Sequence, residues 1–600
     1  MNTLFWVLAG LLGYSMAALT LKQRGLLPRS VRLQGPLMTV HTKRGRALLD
    51  RLAAPKRFWR AWSNLGVGIA LVIMVGVFVT LLWQGLAILR NPPAPTAVNQ
   101  PQNFLVIPGV NEFLPLSVAP EILFGLLVGL VVHEGGHGLL CRVEDIDIES
   151  MGVVLLTILP VGAFVEPDEE SQRETDRGGR TRMFAAGVTN NFAVTAIAFA
   201  LLFGPVVGAF SVAAGVPMAG AYGGTPADAA GIEKGDRITA VAGQNVSTEL
   251  ELDQTLAETE ARTLSVTIDG ERTVSVERSL SIVGTIGDNP ANLSVSPQDD
   301  PIAVTAVNGT EVHTRAGFRA AVGNETFARI STSEGDRVVP VGAYIAGVAS
   351  DGPLNRSGVA ANQSLIVLSI GGDRVTSSED LRSVLDARDP GETVEVRFYR
   401  DGAVESETVT LGRSEADGNA LLGVTLFPGS SGLLLTDFGV QTYPAGTFLE
   451  LLGGDGGPGA ALPGGIQDLL GTVLGRVYVA LVLPLASLVL GIPNFPGFTG
   501  DVLNFYTVTG PLSILGNGAF LLANALFWTA WINLQLGLFN CIPGYPLDGG
   551  RILRTSTEAV VSRLPVGNPP ALVRTVTTSV GLAMLASLLL MIFGPTVLAG

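Results

Sequence analysis

Lysine is nearly missing from this chain. It occupies four positions (Lys22, Lys43, Lys56, Lys234) in 600 residues whose formal net charge is −14. A lysine-poor, acidic surface is what a protein bathed in high salt carries, and drift in a GC-rich genome accounts for the lysine loss nearly as well. Cysteine is just as scarce. Cys141 and Cys541, the only two, sit in or beside apolar segments, which excludes a disulfide framework and reads as packing. Histidine numbers four, so any imidazole-based metal site must draw on a very small set. No nucleic-acid partner is expected.

Apolar sequence is what the chain has in excess. Hydrophobic residues make up 47% and the mean hydropathy is +0.43, too high for an ordinary soluble protein and pointing to a bilayer. Apolar runs lie at 3–21, 66–90, 118–141, 183–210, 468–492, 506–540 and 575–598. Residues 22–60 carry eleven Lys/Arg against Asp50 alone, whereas residues 221–440 carry 32 Asp/Glu against 16 Lys/Arg. One basic loop and one acidic soluble block are therefore expected. The positive-inside rule puts the basic loop in the cytoplasm and, counting crossings, residues 215–440 outside. Arg551, Arg554, Arg563 and Arg574 put the segment after 550 inside. An odd number of crossings must then separate 440 from 551. Either 468–492 is re-entrant or interfacial, or 506–540 crosses twice.

The soluble block repeats itself. ITAVAGQNV (238–246), AVTAVNGTEV (303–312) and IVLSIGGDRV (366–375) recur at spacings of 66 and 63 residues, each an apolar run, a glycine turn and a valine. A hairpin turn is expected at Asp401-Gly402 within 393–411. Small-residue stretches at 224–238 and 351–365 precede two copies. The layout resembles circularly permuted PDZ domains at 221–280 and 342–412, with a partial copy at 300–340; a generic small β-rich domain is the alternative.

The strongest signal is HEGGH, His133 to His137, inside an apolar run. On a helix, positions i and i+4 share a face. Two imidazoles can then hold one zinc, with Glu134 beside them to take a proton from water. Ionisable groups in an apolar span cost roughly 2.5–3.5 kcal/mol each on the insertion scale, and a metal gives them a reason to be there. His41 and His313 read as solvated loop residues. A catalytic zinc needs a third protein ligand. Asp548, in NCIPGYPLDGGR (540–551), closes a long apolar run among helix-breaking prolines and glycines. Cys141 is the rival, but it lies about 12 Å along the helix from His133.

HEGGH with the later Leu547-Asp548-Gly549 resembles the site-2 protease family. AGVTNNF (186–192) resembles a third element of that family, with Asn191 at its asparagine position and Val188 where a proline is usual. The resemblance implies one zinc per chain held by His133, His137 and Asp548, with Glu134 as general base. It implies that Asn191 holds the substrate backbone or the oxyanion, and that Asn540 is a weaker candidate for substrate binding; an interhelical hydrogen bond is the structural alternative for Asn191. Residues 151–168, apolar and β-branched, resemble the membrane-associated hairpin that guides an unwound substrate strand in similar proteases, and a plain interfacial loop is the alternative.

The expected fold is a multi-pass α-helical membrane protein with an inserted extracytoplasmic α+β (PDZ-like) block. Its expected regions are 1–117 (N-terminal helices and basic loop), 118–214 (protease core), 215–440 (PDZ-like repeats) and 441–600 (C-terminal membrane region). The expected activity is hydrolysis of peptide bonds within transmembrane segments of membrane proteins, in the cell membrane, with the lipid bilayer and transmembrane substrates as partners. The alternatives are a protease cutting at the membrane surface and a non-catalytic PDZ-bearing scaffold or chaperone. Six Asn-x-Ser/Thr sequons, beginning at Asn245, Asn292, Asn308, Asn324, Asn355 and Asn362, fit an extracytoplasmic surface.

Overall fold

The computed structural model describes residues 3–598 apart from 29, 35–36, 43, 94–107, 110, 112–113, 157–158, 297–298, 415–417, 459, 461, 463–465 and 490–491. The described residues form two compact units. One comprises 1–209, 473–500 and 508–600; the other comprises 210–472 and 501–507.

The first unit is helical. Helix α1 is Thr3–Gln23. Two short strands, β1 (Val31–Gln34) and β2 (Leu37–His41), and helix α2 (Arg44–Leu52) fill the basic segment that reads as a plain loop in the sequence. Helix α3 (Lys56–Arg90) extends ten residues further back than its apolar run. Helix α4 is Ala119–Val143. The hairpin β3 (Ile148–Leu156) and β4 (Leu159–Pro167) follows, and β2 pairs with β3 to give a four-stranded antiparallel sheet in the order β1-β2-β3-β4. Asp176 caps helix α5 (Arg177–Leu201), its carboxylate accepting the Gly179 N–H at 2.7 Å.

His41 is therefore not a loop residue. It ends β2, half-buried, with its ring edge-on to Phe164 at 5.1 Å. His313 is likewise half-buried, with Nε2 3.5 Å from Glu311. Both escape a reading based on local polarity, because their cover comes from residues distant in sequence or from an adjoining turn.

The second unit holds three sheets of one design. Copy one contains β5 (Val216–Ala221), β6 (Arg237–Val241), α6 (Glu249–Glu258), β7 (Thr263–Ile268) and β8 (Arg272–Glu277). Copy two contains β9 (Ser281–Thr285), β10 (Ile302–Val307), α7 (Arg315–Val322), β11 (Phe327–Thr332) and β12 (Gly335–Pro340). Copy three contains β13 (Ala343–Val348), β14 (Leu365–Ile370), α8 (Ser378–Asp386), β15 (Thr393–Arg400) and β16 (Ala403–Thr410). The recurring sequence stretches align because each ends its second strand in a two-residue turn with positive φ at both positions: Ala242-Gly243, Asn308-Gly309 and Gly371-Gly372. Each helix is then capped by a hydroxyl, from Thr248, Thr314 or Ser377.

Three short strands complete the sheets in reverse order. β17 (Val424–Leu426) joins copy three, β18 (Leu433–Thr436) joins copy two and β19 (Val440–Thr442) joins copy one. The sheet orders are β8-β7-β6-β5-β19, β12-β11-β10-β9-β18 and β16-β15-β14-β13-β17. Each copy is thus inserted inside the one before it. The middle copy is complete, where the sequence suggests only a partial one. Its described residues show no small-residue helical turn like those of its neighbours, and Asn289 shapes that loop. The Asn289 amide donates to the carbonyls of Ile286 and Leu293, both at 2.7 Å, and accepts the Leu293 N–H at 3.2 Å.

Buried side chains stitch the crossings. The outgoing link at Arg278 and the return link at Asp437 form an ion pair whose side chains are 1% and 2% exposed. At the next crossing the Ser431 hydroxyl donates to the Pro340 carbonyl at 2.7 Å and accepts the Gly342 N–H at 3.2 Å.

Back in the helical unit, the described residues of the apolar stretch 468–492 form short helical pieces, the longest being α9 (Val473–Val482), with a tight turn containing Pro484 and one further helical turn, 486–489, after it. The stretch 506–540 holds one long helix, α10 (Gly518–Asn540). Among the described residues, 468–540 therefore carries one helix long and apolar enough to cross a membrane. Helices α11 (Asp548–Val561) and α12 (Pro569–Leu598) complete the chain. Among the described residues, five helical segments are long and apolar enough to cross a membrane: 56–90, 116–143, 177–209, 518–540 and 569–598. The chain is a multi-pass α-helical membrane protein with an inserted PDZ-like block.

Candidate metal centre

Close helix contact builds the site. At Gly125 and Gly136 a Cβ would lie 2.8 Å from the Trp528 carbonyl and 2.9 Å from the Ala186 carbonyl, so these glycines let α10 and α5 press against α4. His133 and His137 project together from the last three turns of α4. Asp548 is the first residue of α11, behind the turn 541–547. A Cβ at Gly549 would meet the Ile542 carbonyl at 2.4 Å, which is why a glycine follows the aspartate.

The helix pair and the distant aspartate converge. Nε2 of His133 and Nε2 of His137 are 3.2 Å apart, and each is 3.1 Å from Oδ2 of Asp548. All three side chains belong to buried residues, 7%, 8% and 5% exposed. Donors bound to a tetrahedral zinc at about 2.0–2.1 Å lie roughly 3.3 Å from one another. The spacing fits such an ion. Among the described residues this is the one His/Cys/Asp/Glu group close enough to hold a metal. Glu121 is buried three turns earlier on α4 and is not part of it.

The surroundings orient the donors. Nδ1 of His137 is 2.8 Å from the Met183 carbonyl. A carbonyl only accepts, so Nδ1 carries the proton and the Nε2 lone pair faces the centre. Nδ1 of His133 is 3.3 Å from the Asn191 side-chain amide, while the Asn191 Oδ1 is buried without a partner. Turning the amide over brings Oδ1 to the His133 Nδ1–H, satisfies the orphan and frees Nε2 in the same way.

Sequence reasoning singles out neither Gly187 nor Val165. At Gly187 a Cβ would stand 2.7 Å from both Cε1 of His133 and Nε2 of His137. Only a bare backbone leaves both imidazoles their room, and the small residue one turn before Asn191 was the available signal. Val165, in β4, donates its backbone N–H to Oε2 of Glu134 at 3.0 Å. That contact is a main-chain property with no sequence signature. Asn540 ends α10, and its amide donates to the Leu536 carbonyl at 3.0 Å, within its own helix. Cys141 and Cys541 are buried, free and packed in apolar clusters.

A family-wide comparison decides the classification. The profile of Peptidase family M50 matches residues 121–588. The chain belongs to peptidase family M50, the site-2 protease family. The match covers the helices of the centre and the PDZ-like block together, so both belong to one membrane metalloprotease architecture. Relatives include an uncharacterized protein of Methanocaldococcus jannaschii, 29% identical over 27% of this chain and 42% of that one. Zinc metalloprotease RasP of Oceanobacillus iheyensis is 26% identical over 36% of this chain and 44% of its own. The chain thus spans less than half the length of these curated relatives. Among solved structures, the PDZ domain of the SdrC-like protein of Listeria monocytogenes matches 15% of this chain and 92% of its own, at 22% identity and a TM-score of 0.14.

Proposed function

We propose that this M50 member is an intramembrane zinc metalloprotease that hydrolyses peptide bonds within the transmembrane segments of other membrane proteins. The observation that carries this reading is the buried His133–His137–Asp548 group, drawn from one candidate membrane-crossing helix and from the start of α11, just beyond another. These residues would hold one zinc per chain. When bound, the zinc would polarise the scissile carbonyl and acidify water.

The protein groups do the rest. Glu134 takes a proton from the attacking water and delivers it to the leaving nitrogen, its carboxylate held by the Val165 N–H. Strand β4 is the last in its sheet, so its outer edge can accept an unwound substrate segment as an added strand. Asn191 serves the centre by orienting His133. Asn540 is committed to its own helix, which favours a structural role. Residues 215–440 lie outside the cytoplasm in this reading, as the basic N-terminal segment requires.

The test is cleavage of a single-pass substrate by the purified full chain at high salt, comparing wild type with Glu134→Gln and counting bound zinc in both. Cleavage inside the substrate's apolar segment, lowered ~100-fold or more in the variant while zinc stays near one per chain, is the expected result. Equal activity in both proteins would remove Glu134 as base. Absence of zinc from folded protein would return the chain to a scaffold role.

A further inference from the structure

Away from the metal centre, two cavities meet along α12. The first, of about 540 Å³, lies among the start of α5, the face of α11 and the start of α12. Arg177, Arg554 and Arg574 line it, with Glu558 as the one carboxylate. That carboxylate is already engaged: Oε1 by Nε of Arg554 at 3.2 Å and Oε2 by Nη2 of Arg180 at 3.5 Å. Arg177 donates to the Ser562 hydroxyl at 2.8 Å and the Glu558 carbonyl at 3.3 Å. Among the described residues, the Arg574 guanidinium has no ion pair or hydrogen-bond partner. The lining therefore holds two positive charges in excess, which favours a counter-charge there.

The second cavity, of about 590 Å³, runs from the same point between the turn 542–547 and α12. It shares Arg554 and Thr577 with the first. Beyond them its wall turns apolar, through Leu582, Met584, Leu585 and Leu588. A cationic pocket thus opens directly onto an apolar cleft. The candidate crossing segments also suggest a level in the membrane. The crossing segments 177–209 and 569–598 both begin at the first cavity, so it lies at a bilayer surface and the cleft extends toward the hydrocarbon.

We propose that these cavities form one binding site for an anionic phospholipid. Its headgroup phosphate pairs with Arg574 and Arg554, and one acyl chain lies in the cleft along α12. Basic pockets between crossing helices are suited to anionic headgroups, and a guanidinium offers phosphate a matched pair of donors. The adjoining cleft selects a lipid over a free anion. The bound chain would rest against the turn 542–547 that leads into Asp548, so occupancy steadies that turn.

The experiment uses the purified full chain in neutral detergent at one fixed ionic strength. It is titrated with phosphatidylglycerol, with phosphatidylcholine of the same chains, and with inorganic phosphate. The melting midpoint and the lipid retained in native mass spectra are read. Phosphatidylglycerol is expected to bind and raise the midpoint, phosphatidylcholine to do neither, and each of Arg574→Gln and Arg554→Gln to weaken phosphatidylglycerol about fivefold. Arg574→Gln keeps the test valid if Arg554→Gln misfolds, because Arg574 makes no contact the fold needs. Equal binding of the two lipids, or wild-type affinity in Arg574→Gln, would overturn the proposal. Inorganic phosphate raising the midpoint as much as phosphatidylglycerol at equal concentration would assign the pocket to a free anion and overturn it as well.

Discussion

The Asn191 side-chain amide lies 3.3 Å from Nδ1 of His133, the ring nitrogen turned away from Asp548. It stands behind an imidazole of the proposed metal centre. Groups in that position orient the ring and set its tautomer, and removing them typically costs 10–100-fold in metal affinity. Asn191→Ala is therefore expected to lose zinc to a chelator at ~10–100-fold lower chelator strength than wild type. Added zinc should restore much of its activity. Unchanged zinc affinity with lost activity would show instead that Asn191 works on the substrate.

Gly187→Ala places a methyl group against both imidazoles. No neighbouring flexible side-chain tip can yield, since the contacts at 2.7 Å are with the ligand rings themselves. The variant should fold, with a melting midpoint near that of wild type without zinc. It should bind little metal and cleave at ~1% of the wild-type rate or less, because misplacements of about 1 Å already cost ~100-fold. Metal content by mass spectrometry and a cleavage assay check this together.

Glu144 follows the last residue of α4, its carboxylate almost wholly covered. It accepts from Arg182 at 2.8 and 3.0 Å and from Arg60 at 3.2 Å, so one acid joins α3, α4 and α5. Burial alone would raise its pKa. Hydrogen bonds and charge from Arg182 and Arg60 outweigh burial and hold it below the ordinary glutamate value. A depressed folded-state pKa gives stability that is present above the unfolded value, about 4.3, and is lost as pH falls through the folded one. Glu144→Gln should melt below wild type at neutral pH, and the gap should narrow as the pH drops through that window. A constant gap from neutral to acid would exclude this account.

Asp437→Ala removes the partner of a buried guanidinium. Breaking such a pair from one side costs ~3–5 kcal/mol. Arg315 also loses a partner, since its backbone N–H donates to the same carboxylate at 3.0 Å. Limited proteolysis of the full chain should then cut within 278–437, while the helical unit stays resistant. Asp437→Asn, which keeps an acceptor oxygen, should be cut more slowly.

Legibility in the sequence followed the range of the interactions. HEGGH could be read because its geometry is fixed by one helical turn. Asp548 could be read because Leu547-Asp548-Gly549 accompanies HEGGH as it does in the site-2 protease family; alone, among Pro543, Pro546 and Gly549, it reads as a helix-ending turn. The repeats could be read wherever a two-residue turn required glycine or asparagine. Strands β17, β18 and β19 could not. They are three or four residues long, and the first strand of copy one finds β19 more than two hundred residues away. The pairing of β2 with β3 was hidden in the same way, because the basic segment shows charge and conceals its short alternating run. Gly187 and the Val165 N–H belong to the same class: one is a missing atom and the other is backbone.

The nested order of the three sheets also sets a timetable for synthesis. A chain emerging from its N-terminus can finish copy three first, copy two next and copy one last. Some 160 residues separate the end of β8 from β19. At translation rates of ~5–20 residues per second, copy one waits roughly 10–30 s with the edge of β5 uncovered. The oldest part of the block is the last to close, and an arrest anywhere between 280 and 440 leaves every copy already begun and not yet sealed open to a stray strand.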